Sequence, residues 1–289
     1  MSWWQAAVLG LVQGLAEFLP ISSSGHLVLG EHLLGLNTEG ASDVTFEVFV
    51  HFGTTLSILT VYWSRIVRIV RDAFSALLKP SSWRIAIAPG PIERTRGDDV
   101  EASASSTPSL RIALYILITM VPTGIAYVLF KDPLEALFSE PKFVCGALLV
   151  TGTLLLLTRL RPDPDGVLSP LKSILVGIAQ AAALIPGISR SGSTICTAIY
   201  LNVDRKQAAD FSFLMLLPVV LGATLLKTLE MAETGMTVAA LPLIVGTVVA
   251  YASGIVAIRA VQVLVQRHSL QYFAYYCYAV GLAGLAFLP

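Results

Sequence analysis

The sequence predicts an all-α integral membrane protein of about six transmembrane helices and two re-entrant helix-loop-helix hairpins, arranged as inverted-topology repeats. Three observations predict it. Hydrophobic residues make up 55% of the 289-residue chain and charged residues 13%, against about 25% charged in soluble domains. Basic residues collect in alternate connections between the apolar stretches. Two polar, Pro/Gly/Ser-rich breaks interrupt such stretches at matching places in the two halves.

Composition also narrows the function classes. Net charge is zero, which gives no reason to expect a nucleic-acid partner. Cys145, Cys196 and Cys277 are far apart in apolar surroundings. With neither metal spacing nor a disulfide framework, they read as small packing residues. The N-terminus, Met1-Ser2-Trp3-Trp4-Gln5, lacks a basic start, and the apolar run behind it carries Glu17 and no small-residue cleavage site. The first helix is therefore expected to stay in the mature protein.

Crossing a bilayer takes roughly 17–25 apolar residues of helix. Six segments qualify, at about 44–63, 110–130, 143–158, 207–226, 238–258 and 271–288. Charge orients them by the positive-inside rule. Arg65, Arg68, Arg71, Lys79, Arg84, Arg94, Arg96, Arg111, Arg159, Arg161, Lys172, Arg205, Lys206, Arg259 and Arg267 all lie in connections that one face can hold. The other face keeps only Lys131, Lys142 and Lys227. Regions 5–30 and 171–202 must then enter and leave on one side each. Irregular backbone at membrane depth survives only around a cavity or inside protein, so the two hairpins are expected to line a cavity. In the cytoplasmic connection 64–110, residues 64–79 read as an interfacial helix and 80–109 as a loose loop.

The two hairpins are copies. With Gly10 laid over Gly177, Gln13 falls on Gln180, Ser22 on Ser189, Ser23 on Arg190 and Gly25 on Gly192, without a gap. The spans that follow run in opposite directions, which makes the halves inverted repeats of about 1–158 and 171–289 in a single membrane domain, 1–289. Inverted repeats with broken helices place a binding site where the breaks meet.

At each break a helix stops and a Ser/Gly cluster starts a new one. N-cap hydroxyls and the free N–H groups of a first turn suit phosphate. The candidate binding set is Ser22, Ser24 and Gly25 with Gly187, Ser189, Ser191, Gly192, Ser193 and Thr194. Ordinary capping of a kinked helix is the competing reading, and two facing turns, one bearing an arginine, tell against it. Arg190 at mid-membrane costs about 2.5–3.5 kcal/mol even on the lenient insertion scale and needs an anionic partner. Phosphate fits its fork; an ion pair with Glu17 or Glu47 is the alternative. Gln13 and Glu17, four apart on one helical face, are placed to share a divalent cation, or Glu17 to act as acid/base. Ser23 with His26 one turn on is the minimum for an activated nucleophile. Glu47 and His51, also four apart, are candidates for a supporting pair or a proton route.

These residues resemble the undecaprenyl-diphosphate phosphatase family, also called bacitracin-resistance proteins. The likeness rests on Gln13…Glu17, on Phe-Leu-Pro-Ile-Ser-Ser-Ser-Gly-His ending at His26, on Phe46-Glu47-Val, and on Pro186-Gly187-Ile-Ser189-Arg190-Ser191-Gly192-Ser193-Thr194. It implies a multi-pass bacterial inner-membrane hydrolase that converts undecaprenyl diphosphate to the monophosphate and recycles the lipid carrier for cell-wall synthesis. It further implies a divalent cation, Mg2+ or Ca2+, a cavity facing the periplasm, and bacitracin competing indirectly by binding the substrate. A homodimer is compatible with it. By position, Glu17 and Gln13 would serve the metal or acid/base step, Ser23 or His26 the attack, and Arg190 with Ser189, Ser191 and Thr194 the diphosphate. Glutamine at 13 departs from a two-carboxylate site, and histidine at 51 stands where glutamine is expected.

Two other readings compete. The second lipid-phosphatase family shares Ser24-Gly25-His26 superficially, but no histidine follows Ser189-Arg190 before His268. A transporter or flippase for polyprenyl phosphate would use the same inverted-repeat cavity.

Overall fold

Caps and helix breakers order the first half of the chain. Ser2 closes a capping box with Gln5 and starts α1 (Trp3–Phe18). Pro20 follows, and a residue near proline is driven out of the helical region; Leu19 is extended at φ −61°, ψ 140°. Ser22 then caps α2 (Ser23–Leu33). α3 (Ala41–Leu78) bends at Tyr62, and α4 (Thr107–Leu137) bends at Phe130 and holds Pro122 and Pro133. α5 is Pro141–Leu157.

The second half restarts the pattern. Ser169 caps α6 (Pro170–Ala182), whose first residue is a proline and so gives up no helical hydrogen bond. A turn through Pro186 and Gly187 leads to Ser189, the cap of α7 (Arg190–Tyr200). Three long helices follow, α8 (Arg205–Thr234), α9 (Ala240–Gln266) and α10 (Leu270–Phe287). The structure, a computed structural model, describes residues 1–36, 41–78, 107–161, 163–234 and 239–287, and among these there is no strand.

Among the described residues, four helical stretches are long and apolar enough to cross a membrane: Ser109–Leu137, Pro141–Leu160, Arg205–Leu226 and Ala240–Gln266. Leu117, Val121, Ile125, Val128 and Leu129 of α4 are exposed, an apolar surface suited to lipid rather than water. The expected spans near 44–63 and 271–288 lie within α3 and α10. α1, at 16 residues, and α6, at 13 residues, fall short of the roughly 20 needed to span hydrocarbon. Regions 5–30 and 171–202 are thus each a helix, a break and a second helix. The expected 64–79 helix continues α3 past its Tyr62 bend to Leu78. The 80–109 loop falls almost wholly outside the described residues.

The packing brings both breaks to the middle. α1 lies along α9 and α6 along α4, while α3 packs on α8 and α5 on α10. Small residues allow the close approaches, as membrane helices need in the absence of a hydrophobic drive. A Cβ on Gly10 would meet the Gly246 carbonyl oxygen at 2.5 Å, and one on Gly177 the Thr119 Cα at 2.8 Å. Phe18 meets Phe213 edge-on at 5.7 Å in a core with Ile58, Ile195, Ile199 and Met215. Beneath it, Asp210 accepts from Tyr62 Oη (2.8 Å), Arg65 (2.8 Å) and Gln262 Nε2 (3.2 Å). That buried network ties the α3 bend to α8 and α9.

Candidate active site

The two breaks abut. A Cβ on Gly25 would lie 3.3 Å from Gly187 Cα, and one on Gly192 would lie 3.4 Å from Pro20 Cβ. Ser191 Oγ donates to the Leu19 carbonyl at 3.1 Å, stitching the second turn to the first. Thr151 of α5 pins the second turn, donating to the Gly187 carbonyl (2.9 Å) and accepting from Ser189 N (3.0 Å).

Each new helix starts the same way. Ser22 Oγ accepts from Gly25 N at 3.3 Å, and Ser189 Oγ accepts from Gly192 N at 3.1 Å. The backbone reversal differs. The second turn places its positive φ on Gly187 (91°), whereas the first places it on Ser22 (72°). A side-chain-bearing residue there costs of order 1–3 kcal/mol and persists where its surroundings over-determine it.

The first helical position of α2 is Ser23 and that of α7 is Arg190. Both reach Glu17, from the last turn of α1. Ser23 Oγ donates to Glu17 Oε2 at 2.6 Å, and Arg190 donates to Oε1 at 2.8 Å. The Glu17 side chain is 6% exposed and that of Arg190 14%. Arg190 also donates to the Ser212 carbonyl at 3.1 Å. Two opposite charges thus satisfy each other at the break, as burial in an apolar surround demands. Arg190 is paired with Glu17, and its fork is also at the cavity wall.

Behind Glu17 lies Gln13. Its Nε2 donates to Glu17 Oε2 at 3.0 Å and faces His51 Nδ1 at 3.1 Å. A carboxylate only accepts, so the amide must present its NH2 here. The same argument makes His51 Nδ1 the acceptor and turns its Nε2–H toward Glu47 Oε1, 3.6 Å away. Gln13 Oε1 is left buried with no hydrogen-bond partner.

These groups head an open cavity of about 220 Å³. Glu17, Ser22, Ser23, Ser24, Glu47, His51 and Arg190 line one part of it, with Thr123 and Gln180. Val48, Phe138, Ala183, Leu184, Ile188, Leu216, Val219, Val220, Ala223 and Thr224 complete the lining. A lining that combines charged and apolar side chains suits a ligand that is itself amphipathic.

The other expected binding residues are brought near without facing the cavity. Ser189, Ser191, Ser193 and Thr194 are buried, and none lines it. Ser189 caps α7, Ser191 holds Leu19, and Thr194 bonds both the Arg190 carbonyl (2.8 Å) and Ser212 Oγ (2.6 Å). Gly25, Gly187 and Gly192 let the turns touch. His26 also turns away. Its Nδ1 meets the Ser22 carbonyl at 2.7 Å and its Nε2 the Tyr276 hydroxyl at 2.9 Å. The group against Ser23 is Glu17, not His26.

Sequence reasoning passed over Gln180, Thr123 and Tyr276. Gln180 donates to Thr123 Oγ1 at 2.9 Å and, like Gln13, keeps an unpartnered buried Oε1. Its place opposite Gln13 in the self-match was a usable signal. Tyr276 sits in an apolar helix with other tyrosines and carries none.

No cluster of three His, Cys, Asp or Glu side chains that could hold a metal occurs among the described residues. A Mg2+-type ion asks for less, one or two carboxylates with substrate phosphates and water. Glu17 supplies the carboxylate, and Gln13 one helical turn away, whose Oε1 has no hydrogen-bond partner, supplies a second hard oxygen donor.

The family model described as bacitracin resistance protein BacA matches residues 6–283. An undecaprenyl-diphosphatase of Salinibacter ruber is 55% identical over 285 residues, 99% of each chain. One of Halothermothrix orenii is 38% identical over 98% of this chain and 96% of its own. One of Methanobrevibacter smithii is 36% identical over 96% and 95%. The chain therefore belongs to the bacitracin resistance protein BacA family.

Proposed function

We propose that this chain hydrolyses undecaprenyl diphosphate to undecaprenyl phosphate and inorganic phosphate, returning the carrier lipid to cell-wall synthesis. One observation carries the reading: a single buried carboxylate holds a serine hydroxyl at 2.6 Å and an arginine at 2.8 Å, in a cavity lined by both charged and apolar side chains. The names of the relatives favour a hydrolase over a transporter.

The diphosphate binds at the α2 and α7 N-termini, with Arg190 shared between Glu17 and the terminal phosphate. Ser23 Oγ attacks the terminal phosphorus and its proton passes to Glu17. The bond to the bridging oxygen breaks, and Glu17 returns the proton to the departing monophosphate. Water then attacks phosphoserine, Glu17 takes its proton, and phosphate leaves with Ser23 restored. Glu17 and Gln13 are the residues that would hold Mg2+ or Ca2+. Such an ion supplies charge neutralisation on the phosphates when bound.

In this reading α1–α2 and α6–α7 are re-entrant hairpins between six spans, and residues 1–158 and 171–289 are inverted repeats. Paired contacts support it: α1 on α9 answers α6 on α4, and Gly25 on Gly187 answers Gly192 on Pro20. A cavity facing the periplasmic side of the inner membrane is what the family resemblance implies, and basic connections on the cytoplasmic face are compatible with it. Bacitracin then acts by sequestering the substrate.

Purified protein in detergent with undecaprenyl or farnesyl diphosphate tests the reading. Phosphate release that needs Mg2+ or Ca2+ and stops with EDTA is expected. Absence of release with either cation present rejects the hydrolase, and EDTA-insensitive release rejects the metal role.

A further inference from the structure

Ser23 Oγ lies 2.6 Å from Glu17 Oε2, and the residue before it, Ser22, holds a backbone that serine rarely adopts, φ 72° and ψ 100°. Something must hold that backbone in place. Its carbonyl accepts two bonds from one residue, His26: the amide N–H at 3.2 Å and the ring Nδ1 at 2.7 Å. A carbonyl oxygen only accepts, so Nδ1 carries the proton and the neutral ring offers Nε2 as acceptor. At Nε2 stands the Tyr276 hydroxyl of α10, 2.9 Å away, with the two rings stacked at 5.5 Å and 13°. The hydroxyl therefore donates. Stacking and hydrogen bond together fix both the tautomer and the plane of the imidazole.

We propose that Tyr276 is a positioning residue for the reaction: acting through His26, it clamps the Ser22 turn and so aims Ser23 at Glu17. His26 then contributes as a donor to a carbonyl, not as nucleophile or base. This rests on the hydrolase reading above. In the second turn Ser189, which matches Ser22, has an ordinary extended backbone (φ −70°, ψ 121°), the positive φ falls two residues earlier on Gly187, and the position matching His26 is Ser193, with no such clamp. The device belongs to the turn whose strained residue is not glycine.

Two replacements of His26 separate the roles, because asparagine places an NH2 where Nδ1 stands and glutamine places one where Nε2 stands. His26→Asn is expected to keep turnover within about tenfold of the parent, and His26→Gln to lose about a hundredfold, the scale of an ångström of misplacement. Tyr276→Phe keeps the stack and loses the donor. It is expected to lower kcat about tenfold with KM unchanged, and to add no further loss to His26→Asn. A His26→Asn protein as inactive as Ser23→Ala overturns the clamp, because the ring is then needed for chemistry. So does a Tyr276→Phe protein at parental kcat. The nitrogen NMR spectrum of labelled histidine, with the His26 signal assigned by its loss in His26→Asn, reads the clamp without activity. The Nδ1–H tautomer is expected in the parent, with the Nε2 signal shifting in Tyr276→Phe; an Nε2–H tautomer rejects it. A parent that releases no phosphate from the diphosphate sinks the hydrolase reading instead, whatever the NMR shows.

Discussion

The first and second turns share a frame and differ in what they present. In both, a serine caps the new helix through the N–H three residues on, at 3.3 and 3.1 Å. In both, that serine sits 3.3 Å from the hydroxyl two residues later. The first helical residue is then a hydroxyl in one and a guanidinium in the other, and both meet on one carboxylate. Ahead of the turns, Glu17 matches Leu184, a wall residue of the cavity. The backbone frame makes both helix starts receptive to an anion. On the proposed reading, chemistry comes from three residues at which the two matched segments differ: Glu17, Ser23 and Arg190.

The largest test of that contrast removes the hydroxyl. Ser23→Ala is expected to cut kcat/KM at least about a thousandfold by phosphate release, with the thermal unfolding midpoint nearly unchanged. Ser191→Ala, which removes the hydroxyl next to Arg190 in the second turn at the position matching Ser24, should cost far less activity. Equal losses would dissolve the division between an attacking turn and a gripping turn.

Arg190→Ala comes next and acts on two observables. Turnover falls and KM rises, and Glu17 is left as an unpaired buried charge, a loss of about 3–5 kcal/mol that should appear as a lower unfolding midpoint. Arg190→Lys should recover part of the stability and little of the activity, since a point charge replaces a fork. Full activity in the lysine protein would show that charge alone suffices.

The smallest effect concerns the backbone. Gly187→Ser should destabilise by about 1–3 kcal/mol, since φ is 91° and an added Cβ meets the Val144 carbonyl. Ser22→Gly should change stability by under about 1 kcal/mol, because relieved strain offsets a weakened cap. Calorimetry or denaturant titration in detergent reads both. A larger loss at Ser22 than at Gly187 would mean that the first turn is held by its cap and not against its φ.

Most of the site was legible because its residues are chemically out of place. A carboxylate, an arginine and two serine runs in oily helices stand out at once. Ser23 and Arg190 come to one cavity as the self-match implied, while the ion pair of Arg190 with Glu17 is the competing reading of that arginine. Less legible was which way each polar group turns. His26 lies three residues beyond Ser23, yet its ring folds back to Ser22 and outward to Tyr276, from a helix 250 residues away. Ser189, Ser191 and Thr194 look like phosphate ligands in sequence, and their hydroxyls are taken up within the two turns and α8.

By itself the sequence determined the helical membrane class, the place of both breaks and the identity of the charged residues between them. Apolar length, proline and serine act over a few neighbours, and the cost of burying charge is felt wherever the residue goes. Only tertiary structure decided the partners: Glu17 rather than His26 against Ser23, Tyr276 against His26, Thr123 against Gln180. Those choices depend on how separate helices close on one another at contacts of about 3 Å, a range within which hydrogen bonds form or fail. No local pattern in the chain carries that information.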